Sequence, residues 1–210
     1  MIKKLLDIFL SGNLLFKRLS EKEIIFYSEN TFNLIGHKFN KKKIFILHNN
    51  LKKGLNFLPF IKSLFTNLLG WKSKFYFFEI IKKIKPTFFI TIIDNDLNLL
   101  ELKNKFPNVI FIVIQNGYRY DTKYDNYFKK LNKLEKKKYK IDFFFIFNNN
   151  FGNYLKNIFK VDTISSGSFA NNLIPISKKN KIKSVLFISE WGPFKTPFHK
   201  NSNGYKKFHE

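Results

Sequence analysis

Residues 108–121 read NVIFIVIQNGYRYD. Six consecutive apolar residues, Val109 to Ile114, include five that are β-branched, and such side chains are stiff and pack well on a pleated surface. The run shows no polar alternation, so both of its faces are expected to be buried, as in a strand inside a parallel sheet. It then breaks into Gln115, Asn116, Gly117, Tyr118, Arg119 and Tyr120, and Arg119 is one of only two arginines in the chain. A buried ribbon that ends in amides, phenols and a guanidinium asks where in a fold such a junction belongs.

The same pattern recurs along the chain. Short apolar runs stand at EIIFYS (23–28), KIFILHN (43–49), TFFITII (87–93), VIFIVIQ (109–115), DFFFIFN (142–148) and SVLFIS (184–189). Lysine-bearing segments of helical period fill the gaps, near 55–69, 75–83, 97–105, 126–137 and 151–159. Pro86 before a strand and Pro107 after a helix punctuate this alternation as their restricted backbone requires. Strands apolar on both faces need helices on both faces. The expected fold class is therefore α/β, a Rossmann-like doubly wound and mainly parallel sheet. The run KKNKIK (178–183) reads as a solvated linker. It divides an N-terminal domain, 1–177, from 178–210, expected to hold the linker and the first strand of a second domain.

Composition narrows the function. The chain carries 38 basic and 15 acidic residues, a net charge of +23. Asn, Ile, Phe and Lys dominate together, so part of that charge is compositional, and with two arginines a sequence-specific nucleic-acid reader is not expected. Lysine charge still favours anionic neighbours, including acidic lipid surfaces. Cysteine is absent, which removes disulfides, thiolate nucleophiles and the usual zinc sites and fits a reducing cytoplasm. His37 and His48 lack partners at ligand spacing, so no metal site and no cofactor are expected. The start, MIKKLLDIFLSGNLLFKRL, is interrupted by Asp7, Gly12 and Asn13 and has no cleavage signal. Leu5, Ile8, Phe9, Leu15 and Phe16 suit a helical extension packed on a core or lying on a membrane face. No apolar run approaches the ~18 residues of a membrane span.

In an open α/β sheet, ligands gather beyond the carboxyl ends of the strands, and the polar breaks fall there. DNDLNLL follows the third run, NGYRYD the fourth and NNFGNYL the fifth. Asp94 or Asp96 reads as a helix cap or as a ligand or catalytic carboxylate. Asn116-Gly117 reads as a turn pair tolerant of positive φ, or as part of a site. SSGSFANN (165–172) reads as a loop or as a phosphate cradle without the P-loop or dinucleotide signatures.

Taken in order, KPTFFITIIDND, FPNVIFIVIQNGYR, IDFFFIFNNNFGNYL, SSGSFANN and SVLFISEW resemble the bacterial surface carbohydrate biosynthesis proteins, similar to GT-B-type glycosyltransferases and more distantly to CDP-glycerol glycerophosphotransferases. The resemblance implies that residues 1–177 are the acceptor-side half of a two-domain enzyme. It implies transfer from a nucleotide-activated sugar or alcohol donor to a glycan or lipid-linked acceptor, in the cytoplasm or peripherally at the inner face of the plasma membrane. Asp94 is the implied base. Gln115, Asn116, Gly117, Arg119, Ser166, Gly167, Ser168 and Asn171 are implied acceptor- or phosphate-binding residues, and Glu190 and Trp191 mark the cleft edge. Only 21 residues follow Ser189, too few for a second Rossmann-like half, which needs on the order of 100. The donor site is thus expected to be missing, with little independent turnover. The alternative is a basic, non-enzymatic α/β module that binds RNA or an acidic membrane surface.

Overall fold

A computed structural model describes residues 14–16, 18–48, 55–66, 72–94, 96, 98–117 and 139–169. All lie within the compact unit Met1–Pro175. The expected helix at 126–137, the linker and the strand at 184–189 fall outside them.

Five of the apolar runs, joined at one edge by KVDTIS (160–165), form one six-stranded sheet. Its strands are β2 (Ile24–Tyr27), β3 (Ile44–Leu47), β5 (Phe88–Thr91), β6 (Ile110–Ile114), β7 (Lys140–Ile146) and β8 (Lys160–Ser165). The spatial order is β3-β2-β5-β6-β7-β8, and every ladder is parallel. This is a Rossmann-like α/β arrangement. Chain order runs outward from β2 in both directions, so the sheet reverses between β2 and β5. A right-handed crossover in opposite directions must place its helices on opposite faces.

The helices obey that rule. α1 (Glu29–Ile35) links β2 to β3. Its Phe32, Leu34 and Ile35 pack with Ile24, Phe26, Ile90 and Ile114 on one face. α2 (Phe57–Thr66), α3 (Ser73–Ile84) and α4 (Asn98–Lys105) lie on the other, where Phe60, Phe77, Ile80, Ile84 and Leu102 bury against Ile25, Tyr27, Phe89 and Phe111. Phe89 and Phe111 stack there, centroids 4.6 Å apart. α5 (Asn149–Ile158) packs Phe151, Leu155 and Ile158 on Phe144 and Ile146. A Cβ added at Gly152 of α5 would lie 2.4 Å from Cδ1 of Ile146 and 3.2 Å from Oγ1 of Thr163, so this glycine lets the helix approach the sheet closely.

The structure corrects the expected helical extension at its far end only, since Leu5, Ile8 and Phe9 lie outside the described residues. Leu14–Leu15 is not helical but a short strand, β1, paired in parallel with β4 (Leu55–Asn56). The expected period ran across Gly12 and Asn13, and backbone pairing with β4 overrides it beyond them. The same pairing delays the helix expected from Leu55 to Phe57, while the N–H of Asn56 donates to the Tyr76 hydroxyl at 2.9 Å. Among the described residues no helix is long and apolar enough to cross a membrane.

At the amino ends of the strands, Lys103 of α4 is 3% exposed. Its Nζ donates to the carbonyls of Pro107 and Val109 and pairs with Oδ2 of Asp142 on β7 at 2.7 Å. The same carboxylate accepts the N–H of Phe111 and pairs with Lys140. Burial pushes the Asp142 carboxyl up, but the Lys103 ammonium, the Phe111 N–H and Lys140 outweigh it and hold it below the usual aspartate range.

Candidate functional site

The reversal of strand order between β2 and β5 leaves a crevice above their carboxyl ends, the position at which such sheets bind ligands. Its foundation is a hydroxyl network the sequence reading did not anticipate. Ser28, at the end of β2, has φ 92° and ψ 149°, a region that residues other than glycine occupy only at a cost. Ser28 Oγ caps α1 by accepting the N–H of Thr31 at 3.2 Å. Thr31, fully buried, donates its hydroxyl to the Tyr27 carbonyl at 2.7 Å and accepts the N–H of Ile92 at 3.2 Å. One threonine thus ties α1 to the ends of both strands at the switch point.

The tips of the other strands are stitched in a similar way. Gln115 is 3% exposed. Its Oε1 accepts the N–H of Phe147 and its Nε2 donates to the carbonyl of Gly117, while its own N–H reaches the Phe145 carbonyl. An amide ends the apolar run of β6 because one side chain there serves backbone groups of two neighbouring loops. Neither Asn116 nor Gly117 adopts positive φ, so this junction does not use the left-handed freedom expected of the pair. Gly167 does, at φ 67°. It turns the chain after β8 so that Ser168 and Phe169 come back over the sheet, the Phe169 ring edge-on to Phe145.

These segments converge on a pocket of about 360 Å³. Its polar lining is Asn30 and Asn33 of α1, Gln115, Asn116 and Ser168, and its apolar lining is Leu34, Ile92 and Phe169. An adjoining hollow of about 240 Å³ shares Asn30, Ile92 and Asn116 and adds Ser28, Glu29 and His48. Together they form one groove across the ends of β3, β2, β5 and β6. No lysine or arginine is among the described residues that line it. The described lining is amide-rich, with Glu29 and His48 its titratable groups, on a chain of net charge +23.

The expected residues divide accordingly. Gln115, Asn116 and Ser168 come together on the groove; Ser166 and Gly167 shape the loop that delivers Ser168, and Gly117 follows Asn116 without lining the groove. Asp94 is buried in the turn after β5 and is not among the lining residues. The capping role falls to Asp96, whose Oδ1 accepts the N–H of Asn98 at 3.0 Å and whose Oδ2 accepts the Tyr27 hydroxyl at 3.0 Å. Burial, and then the Asp96 charge, drive the Tyr27 phenol far above its usual value, so it stays a donor. Arg119, Asn171, Glu190 and Trp191 lie outside the described residues. Asn30, Asn33, Phe169, Glu29 and His48 were missed. The signal for α1 was present in SENTFN, a serine followed by an acidic first turn. No cluster of acidic or histidine side chains suited to a metal occurs among the described residues.

Residues 112–210 match the model of a protein family described as "putative O-antigen biosynthesis protein". The match begins within β6 and takes in Gln115, Asn116 and the Ser168 loop. No curated protein and no solved structure matches the chain.

Proposed function

We propose that the groove holds a glycan acceptor, and that the domain is the acceptor-side half of a GT-B-like transferase that moves a sugar or alcohol phosphate from a nucleotide-activated donor in surface-polysaccharide assembly. The observation that carries this reading is the lining itself. Asn30, Asn33, Asn116 and Ser168 offer paired donors and acceptors without charge, which suits sugar hydroxyls better than polyphosphate. Ile92, Leu34 and Phe169 offer apolar surface for the C–H faces of a ring. The family match on the residues that supply Gln115, Asn116 and Ser168 lends the biological setting.

In such a transfer the acceptor hydroxyl attacks the donor, the bond to the nucleotide leaving group breaks, and a base takes the hydroxyl proton. Asp94 is the base the family resemblance implies. Glu29 and His48 are the titratable groups among the described residues that line the groove. Replacing each in turn (Asp94→Asn, Glu29→Gln, His48→Ala) and comparing glycan affinity separates a positioning group, whose loss weakens binding, from a base, whose loss leaves ground-state binding unchanged.

The direct test is calorimetric titration of the whole chain with delipidated surface oligosaccharide. Saturable binding that is insensitive to salt is expected, weakened roughly three- to tenfold by Asn33→Ala or Asn116→Ala, the loss of one hydrogen bond. Absence of glycan binding, with salt-dependent retention of RNA instead, would replace this reading with that of a basic binding module.

A further inference from the structure

We infer that the face built by β1 and the outer side of α2 is a docking surface for an anionic lipid bilayer. Leu58, Lys62 and Phe65 recur at i, i+4 and i+7 on α2, one exposed stripe of the helix. Leu58 is 68% exposed and Phe65 76%. Phe16, just past β1, is 73% exposed, and its ring leans on Phe57 with centroids 4.9 Å apart. Three large apolar side chains in water around one short helix are more than the scattered single exposures that folded surfaces ordinarily show.

The charge around them is of one sign. Phe16 and Leu58 border a hollow of about 450 Å³ that is ringed by Arg18, Lys62, Lys82 and Lys83. The single acid there, Glu79, is 7% exposed and already bridged by Lys62 at 3.2 Å and Lys82 at 2.9 Å. The surface therefore presents apolar tips beside a surplus of cations on long stems. That geometry matches the boundary of a bilayer: rings and the leucine enter the acyl region while ammonium and guanidinium groups stay at the phosphate level. Net charge alone would serve RNA equally well, but an exposed leucine offers nothing to a stacked base, and apolar tips gain free energy only where water is excluded from them. The surface shares no lining residue with the groove, so it stands independently of the acceptor reading, and its test leaves that reading untouched.

Vesicle flotation of the intact chain measures it. Binding is expected on vesicles of phosphatidylcholine and phosphatidylglycerol in equal parts, not on phosphatidylcholine alone, and should weaken as sodium chloride is raised. The double replacement Leu58→Ser with Phe65→Ser should lower the partition coefficient at least about tenfold. Arg18→Gln and Lys83→Gln should each lower it roughly fivefold. Thermal melting of each variant shows that it remains folded, and retention of homopolymer RNA should be unchanged by the Leu58 and Phe65 replacements. Equal binding to neutral vesicles, or no vesicle binding, overturns the inference. So does anionic binding indifferent to Leu58 and Phe65, which would leave only diffuse attraction between charges. Sedimentation velocity covers the remaining occupant: self-association abolished by Leu58→Ser with Phe65→Ser, without vesicle binding, would assign the face to a second copy of the chain.

Discussion

The two ends of the sheet put polar residues to opposite uses. At the amino ends, the buried Lys103 and the half-buried Asp142 have partners that are all protein: two carbonyls, a backbone N–H, Lys140 and each other. At the carboxyl ends, Asn30, Asn33, Asn116 and Ser168 line open space above a network already closed by Thr31 and Gln115. Polarity sealed inside a structure supports it, whereas polarity held at a rim on a rigid base is available to something else. At the carboxyl ends the difference lies in partners and not in type: the amide and hydroxyl of Gln115 and Thr31 are sealed by backbone groups, whereas those of Asn116 and Ser168 face the groove.

Breaking the sealed end should have the largest effect. Asp142→Asn leaves the Lys103 ammonium buried without its counter-charge and should lower stability by about 3–5 kcal/mol in urea unfolding. Removing both charges together, Lys103→Met with Asp142→Leu, should recover much of that loss. The acid response sharpens the point. The folded carboxyl of Asp142 lies below its ordinary value of 3.8. Its contribution is therefore complete above that unfolded value and is lost as pH falls through the lower folded one. The slope of stability against pH on the acid side should flatten in Asp142→Asn.

Gly152→Ala probes the packing between the ends. Its new methyl would meet the buried Cδ1 of Ile146 and should cost about 1–3 kcal/mol of thermal stability. At the switch point, Ser28→Ala keeps the unfavourable backbone and loses the cap, for a cost of about 1 kcal/mol. Ser28→Gly relieves the backbone and should leave stability within about 0.5 kcal/mol of the parent or above it. Equal losses for the two Ser28 variants would show that the positive φ carries no strain. Smallest of all, Asn33→Ala and Asn116→Ala should stay within about 0.5 kcal/mol in melting experiments, as surface changes do. A large loss at either would move that amide from the open rim to the sealed network and dissolve the contrast.

How much of this was legible in sequence follows from the range of the forces involved. β2, β3, β5 and β6 were readable because burial on both faces writes itself into consecutive apolar residues such as IIFY and IFIVI. β8 was not: KVDTIS lies at the sheet edge, half exposed, and has no apolar run to betray it. α1 is only seven residues long and depends on Ser28 and Thr31 more than on a periodic face. The clustering of polar residues at strand ends pointed to Gln115, Asn116 and Ser168, and the structure brings these three together on the groove. Asn30, Asn33 and His48 reach the same groove only because the strand order reverses at β2, a fact of topology that no local pattern records.

That every ladder runs parallel has a kinetic consequence. No strand can zip to its neighbour through a tight hairpin, because each pairing in the sheet must wait for a crossover to close first. Loop closure therefore precedes reward at every step, and refolding should be slow for a chain of this size. Meanwhile IFIL, FFIT and IFIVI would stand uncovered in the nascent chain. Lysine-rich segments between them keep such intermediates mutually repulsive, so the large positive charge would act during synthesis, before there is any groove or surface for it to surround.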